Sequence, residues 1–409
     1  MKSFELYNPV RIWFGCGQAD RIGECVAQYG KKALLVTYAE HDFLDSLLER
    51  VKARLAECGI QTVEFFRVQA NPLLSHIREA IDLCRREQVE VCIAVGGGSV
   101  MDSVKAIAAG VCYPGDPWNM YVSRHDRVVA EPPSQTLPTV MLPTLPATSS
   151  EMNCVAVATN DETCEKAYIW TPVIFPKASI LDPSLTCSLS RRQTAIGAVD
   201  AMSHVLEAYL NGDQNSPLQD RLHEGILVTI MSALRAVLRD PQNVEHRANL
   251  QWAATLAWNG YIQAGLDAPT PMHQMGHVLS ALYNTAHGIT LAIFMNAYFR
   301  YTCTMNEERI ARFALLGEKI FGLSRTALGE KQTALETVSR IVAFLDETEV
   351  PCTLEEEGIP EADHDRITKE ILRHGCDADG LLPSIPPIGE AGIREILRLA
   401  QSRKRRETI

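Results

Sequence analysis

His273, His277 and His287 stand in a stretch from Ala268 to Phe299 that contains no Lys, Arg, Asp or Glu. Such a stretch is built to be buried, and an imidazole in apolar surroundings is costly without a partner. The partner that most often collects several imidazoles is a divalent metal. His273 and His277 are four residues apart and share one face of a helix. On one continuous helix His273 and His287 would lie about 21 Å apart, at about 1.5 Å per residue. One ion can hold both only if the chain turns between them, and Tyr283-Asn284-Thr285-Ala286-His287-Gly288 supplies Asn and Gly for that turn. The competing reading is a set of separately hydrogen-bonded core histidines.

A second stretch bears on that choice. In Thr194 to Leu206 the one side chain certain to be charged is Asp200, and His204 follows four residues later on the same helical face. A lone carboxylate on an otherwise apolar helix needs a cation. Asp200, His204, His273 and His287 together offer one oxygen and three nitrogens, a set that suits Zn(II) or Fe(II) and leaves a position open for substrate. Alternatively Asp200 lies on a solvated stripe, which Glu207 continues as a surface charge would.

A different chemistry is written near the middle of the first half. Gly96-Gly97-Gly98-Ser99 directly follows the apolar run VCIAV and opens the helical pattern SVMDSVKAIAAG. Backbone N–H groups at such a helix start point at whatever lies above the turn, and glycines let a pyrophosphate approach closely. Ser99 can cap the helix or donate to the anion. A tight strand-to-helix turn wants glycine for its own sake, so position carries the argument: ligands of alternating β/α arrays bind at the carboxyl ends of strands.

The elements that must position these residues follow from periodicity. Residues 32–37, 62–68 and 89–95 read as buried strands, alternating with amphipathic helices over Phe43 to Cys58, Leu74 to Glu87 and Ser99 to Gly110. Short strands are expected over Thr139 to Leu142, Cys154 to Thr159 and Ala178 to Leu181. This alternation predicts a doubly wound parallel sheet. After about Cys187 the pattern is helical, with breaks at Asp213 to Pro217, Asp240-Pro241 and Asp267 to Pro271. The expected architecture is an α/β dinucleotide-binding domain over residues 1–187, followed by an all-α metal- and substrate-binding domain over 188–409.

With 409 residues, 46% of them hydrophobic, the chain can build two cores. A net charge of −11 without a basic face argues against nucleic acid as a partner. The basic cluster Arg403-Lys404-Arg405-Arg406 reads as a helix end, where cations suit the dipole. No apolar run reaches membrane-spanning length and the N-terminus lacks a signal-like segment, so a cytoplasmic protein is expected. The 12 cysteines form no Cys-x-x-Cys pair and read as reduced packing residues.

Taken in order, several motifs resemble those of the iron-containing (group III) alcohol dehydrogenases. They are the opening NPVRIWFG, Gly96 to Ser99 with Asp102 and Lys105, the run Pro143 to Glu151, Asp200-Ala201-x-x-His204-x-x-Glu207, His273-x-x-x-His277, and His287-Gly288. Tyr38 and the Leu-Pro-Ala-Thr run resemble the butanol dehydrogenase and aldehyde reductase branch. The resemblance implies a Rossmann-like dinucleotide-binding domain and a helical domain enclosing a cleft, with Asp200, His204, His273 and His287 as metal ligands. It makes His277 a proton-relay histidine near nicotinamide and substrate. It implies cofactor contacts at Tyr38, Gly97, Gly98, Ser99, Asp102, Thr144, Thr148 and Lys166, and it favours a homodimer.

Two departures stand out. The loop after the first strand is Tyr38-Ala39-Glu40-His41-Asp42, where close butanol dehydrogenases are glycine-rich. Glu40 and Asp42 there would repel a 2′-phosphate and could accept from a free ribose hydroxyl, which leans the choice between NAD(H) and NADP(H) towards NAD(H). Ser149 stands where the family often has Gly, and its side chain is expected to crowd or reorient the cofactor loop.

The expected reaction is reversible hydride transfer between a small primary alcohol, or its aldehyde, and nicotinamide, with Fe(II) or Zn(II) acting on the oxygen. Trp258, Tyr261 and Met272 read either as the lining of a modest apolar pocket or as core residues. The rival readings are a metal-dependent lyase resembling dehydroquinate synthase, and a non-redox metal- or nucleotide-binding protein. The lyase chemistry wants several basic residues around a polar substrate, which the uncharged stretch 268–299 does not offer.

Overall fold

The computed structural model describes residues 1–122, 130–212 and 215–403. The expected break at Asp213 and the basic residues Lys404, Arg405 and Arg406 lie outside the described residues. Two compact units are present, one made of Leu6–Ser190 with Arg235–Gly260, the other of Met1–Glu5, Arg191–Leu234 and Tyr261–Ile409.

The first unit is built on strands β1 (Arg11–Phe14), β2 (Lys32–Tyr38), β3 (Gln61–Val68), β4 (Val91–Gly96), β5 (Thr139–Pro143), β6 (Val155–Asn160), β7 (Glu165–Trp170) and β8 (Ala178–Leu181). Six of them form a parallel sheet in the order β1-β8-β5-β4-β2-β3, and β6 and β7 form a separate antiparallel pair. Its helices include α1 (Ile22–Val26), α2 (Asp45–Glu57), α3 (Leu74–Glu87) and α4 (Gly98–Cys112). The interior strands β4, β5 and β8 are buried at every position because helices cover both faces. Ala33 and Leu35 of β2 join Val91, Ile93 and Val95 of β4 in one core cluster, with Leu48 and Val51 of α2. The alternate residues Leu34, Val36, Cys92 and Ala94 join a second cluster with Ile77 of α3 and Val104 of α4.

Strands β1 and β7 escape a periodicity search. β1 is short and partly exposed, and β7 opens on a charged residue, Glu165, at a buried position of its alternation. The return of Arg235–Gly260 to this unit is likewise invisible in composition. Its helix follows α5 (Arg191–Asn211) and α6 (Pro217–Arg239) as α7 (Val244–Ala257). Buried polar bonds hold it there: Thr255 Oγ1 donates to the carboxylate of Glu151 at 2.5 Å.

The second unit is helical. It contains α5, then α8 (Pro271–Tyr283), α9 (His287–Thr302) and α10 (Glu307–Phe321), with further helices running to Ala400. Among the described residues no helix is long and apolar enough to cross a membrane.

Candidate metal and dinucleotide sites

Helix α5 is buried almost continuously from Thr194 onward. Its C-terminal carbonyls are met by buried arginines: Arg312 Nε donates to Tyr209 O at 2.7 Å and Arg309 Nη1 to Leu210 O at 2.6 Å. Asp220 holds the Arg312 guanidinium at 2.9 and 2.6 Å. Cations at a helix C-terminus complement its dipole, so the α5 end is fixed by charge as well as by packing. Helix α8 stops at Tyr283 because Asn284 adopts a left-handed conformation (φ 54°), and α9 restarts at His287. The chain therefore turns between His273 and His287 at the Asn the sequence offered.

The turn folds three helices into one cluster. The His204 and His273 rings are 4.7 Å apart between centroids, and His287 lies 5.4 Å from both the His273 and His277 rings. His287 Nε2 is 3.9 Å from Asp200 Oδ1. These are not separate core histidines. Nor is Asp200 on a solvated stripe: it is 2% exposed, and Glu207, expected as a surface charge in that reading, is 0% exposed. His287 has 23% of its side chain exposed.

Electrostatics follow burial. Desolvation first, and the neighbouring His273 second, hold His204 well below the usual imidazole range, which favours the neutral, lone-pair form a metal requires. Desolvation pushes Glu207 well above the usual carboxylate range, opposed by the N–H groups that face it. Glu207 Oε1 accepts from Met272 N–H at 2.6 Å, and Oε2 contacts Nδ1 of His273. Met272 is fully buried, so it is a core residue and not part of a pocket lining.

In the sheet unit, β4 ends at Gly96 and α4 begins at Gly98. Gly97 N–H donates to the hydroxyl of Tyr38 at 2.8 Å, and Thr144 N–H donates to Gly96 O at 3.0 Å. A Cβ on Gly97 would lie 2.8 Å from that hydroxyl, and one on Gly98 2.5 Å from Thr148 Cγ2. Tyr38, Gly97, Gly98, Thr144 and Thr148 thus converge at the start of α4, and the glycines serve close packing as well as ligand approach.

Ser99 Oγ donates to Ala70 O, and Lys166 Nζ to Asn71 Oδ1 at 3.0 Å, so these two side chains grip one loop after β3. Asp102 is engaged on both oxygens, by Ser150 Oγ at 2.5 Å and Val157 N–H at 3.0 Å. Buried Lys105 lies 3.5 Å from it and donates at 3.0 Å to Ser150 O and Asn153 Oδ1. Glu40 and Asp42 are exposed just beyond β2.

Ser149 departs from expectation. Its φ of 53° explains why glycine suits this position. Its hydroxyl, instead of crowding the glycine turn, donates to Ala254 O at 2.6 Å and accepts from Trp258 N–H at 2.9 Å. The side chain thereby ties the loop to the end of α7.

Two residues escaped the sequence reading. Glu207 had no assigned role because its partners lie 65 and 66 residues away. Asn71, 7% exposed in an Ala70-Asn71-Pro72 loop, carried one usable signal, its place at the carboxyl end of a strand.

Comparison with known proteins is consistent along the whole chain. The iron-containing alcohol dehydrogenase family matches residues 9–183, and the C-terminal region of the Fe-containing alcohol dehydrogenase family matches 194–400. NADH-dependent butanol dehydrogenase A of Clostridium acetobutylicum is 33% identical over 97% of this chain and 99% of its own length. The NADPH-dependent aldehyde reductase YqhD of Escherichia coli is 31% identical over 92% of this chain and 94% of its own. The crystal structure of NADH-dependent butanol dehydrogenase A from Thermotoga maritima superposes with a TM-score of 0.89 at 36% identity, covering 98% of this chain and 99% of that one. Sequence and fold agree, and the chain belongs to the iron-containing alcohol dehydrogenase family.

Proposed function

We propose that this enzyme is a metal-dependent, NAD(P)-linked alcohol dehydrogenase acting as an aldehyde reductase in the reverse direction, on small primary alcohols and their aldehydes. The observation that carries the reading is the convergence of Asp200, His204, His273 and His287 in a buried cluster with ring separations of 4.7 and 5.4 Å. One carboxylate and three imidazoles, the most buried of them held neutral, are a donor set that fits Fe(II) or Zn(II). A divalent ion there supplies Lewis acidity towards an alcohol or carbonyl oxygen.

The chain's own residues do the rest. Asp200 contributes the negative charge that offsets the ion, and the helices α5, α8 and α9 hold the imidazoles in place. His277, one turn after His273 and beside the His287 ring, takes the alcohol proton during oxidation and returns it during reduction, the acid–base role an imidazole can fill. In the sheet unit, the N–H groups at the start of α4 receive the dinucleotide phosphates, with Gly97, Gly98 and Ser99 nearest them. Tyr38, Asp102, Thr144, Thr148 and Lys166 shape the surroundings. Exposed Glu40 supports a preference for NAD(H) over NADP(H). We further propose a homodimer in the cytoplasm, the compartment that suits twelve free thiols.

The test is oxidation of NADH and of NADPH with butanal by protein stripped with a chelator and reloaded with Fe(II) or Zn(II). Turnover that returns with metal and is absent in His273→Ala supports the reading. Metal binding without turnover on any short aldehyde would overturn it.

A further inference from the structure

Glu207 is fully buried on α5, three residues after His204, and its two carboxylate oxygens are divided between two tasks. Oε1 accepts from the backbone N–H of Met272 at 2.6 Å, while Oε2 meets the Nδ1 edge of the His273 ring. Both tasks serve the first turn of α8. Thr270, at the N-cap of α8, makes no side-chain capping bond, and Pro271 follows it. The orphan amides of that turn need an acceptor, and a carboxylate at a helix N-terminus is favoured by the dipole as well. Glu207 supplies it from a different helix.

We infer that Glu207 is a positioning residue for the metal centre: by accepting from Nδ1–H of His273 it selects the tautomer whose Nε2 lone pair is presented to the ion, and by capping α8 it sets the height of that ring. The inference rests on the reading that Asp200, His204, His273 and His287 hold the metal. The two oxygens of Glu207 face two donors, the Met272 amide and the Nδ1 edge of His273, so acceptance on both is what fixes the ring. A ring nitrogen that donates to it leaves the other ring nitrogen bare, and carboxylate partners of ligating histidines act in this way. An amide cannot replace it. Glutamine has one accepting oxygen, so its NH₂ must face either the Met272 amide or the His273 ring, and in the second case the ring proton moves to Nε2 and blocks the ligand position.

The experiment compares wild type, Glu207→Gln, Glu207→Asp and His204→Ala. Zn(II) affinity is measured by competition with a chromogenic chelator, the Co(II)-loaded absorption spectrum is recorded, and thermal unfolding is followed without metal. The His273 tautomer is read by nitrogen NMR on metal-free wild type with labelled histidine. Expected are an Nδ1–H tautomer for His273, a loss of Zn(II) affinity of about 10- to 100-fold in Glu207→Gln with a changed Co(II) spectrum, and partial recovery in Glu207→Asp, which keeps both acceptors. Wild-type affinity and an unchanged Co(II) spectrum in Glu207→Gln would overturn the inference while leaving the metal reading intact. So would an Nε2–H tautomer in the wild type, a result that does not depend on any variant folding. Unchanged Zn(II) affinity in His204→Ala would overturn the metal reading itself, and this inference with it.

Discussion

A Cβ placed on Gly288 would lie 2.5 Å from the backbone carbonyl oxygen of Ile196 and 2.9 Å from its Cγ2. The first turn of α9 therefore rests directly on α5, one turn before Asp200, and this contact brings His287 to the carboxylate. No side chain can be accommodated against a backbone oxygen without moving a helix.

Gly288→Ala is accordingly expected to cost about 1–3 kcal/mol of stability, in the range of overpacked cores. It should also weaken Zn(II) binding, because α9 must retreat from α5. Chemical unfolding with and without metal measures both. Unchanged stability would mean that the helices shift at no cost and that the Gly-to-carbonyl contact does not set the site.

Tyr38→Phe removes the acceptor for Gly97 N–H, a buried amide. The cofactor-free protein should lose about 1–3 kcal/mol, the usual penalty for a buried donor left unsatisfied. A bound diphosphate can accept from the same amide, so NADH should stabilise the variant more than it stabilises wild type. Thermal shifts with and without NADH decide the matter, and equal shifts in the two proteins would exclude this amide from the phosphate site.

Glu40→Arg replaces an exposed carboxylate just past β2 with a cation suited to a 2′-phosphate. The ratio of kcat/KM for NADPH to that for NADH should rise by roughly tenfold, about 1.4 kcal/mol. A ratio that stays constant would remove Glu40 from cofactor choice.

His223 gives a pH dependence of its own, outside the cluster of His204, His273, His277 and His287. Burial lowers its pKa from the usual 6.5 to about 4, and its Nδ1 hydrogen-bonds Gln219 O at 2.7 Å. In the unfolded chain it binds a proton as pH falls through about 6.5, while the folded protein resists until about 4. Its contribution is therefore complete above pH 6.5 and is lost between 6.5 and 4, a total of about 3 kcal/mol. In urea unfolding across this range with chelator present, the decline should be shallower by that amount in His223→Gln. Parallel declines would show that His223 titrates normally in the fold.

Much of this molecule was legible before any coordinates. The alternation from β2 to α4, the break at Asn284 and the four-residue spacings on α5 and α8 are local signals, because backbone periodicity and turn chemistry act over a few residues. The hydrophobic core of the sheet was legible for the same reason: strands buried on both faces read as near-continuous apolar runs. Even the uncharged stretch 268–299 declared its burial through composition alone.

What the chain could not reveal are pairings across long separations. Glu207 has no evident task until α8 arrives against α5, and Ser149 reads as an obstruction until the end of α7 supplies Ala254 O and Trp258 N–H. The hydroxyl of Tyr38 and the amide of Gly97 are likewise 59 residues apart. Residue types and local spacing determined which helices and strands form and which side chains are capable of the chemistry. Only the tertiary structure decided which partner satisfies each buried polar group, because desolvation makes that pairing obligatory while sequence proximity says nothing about where the partner comes from.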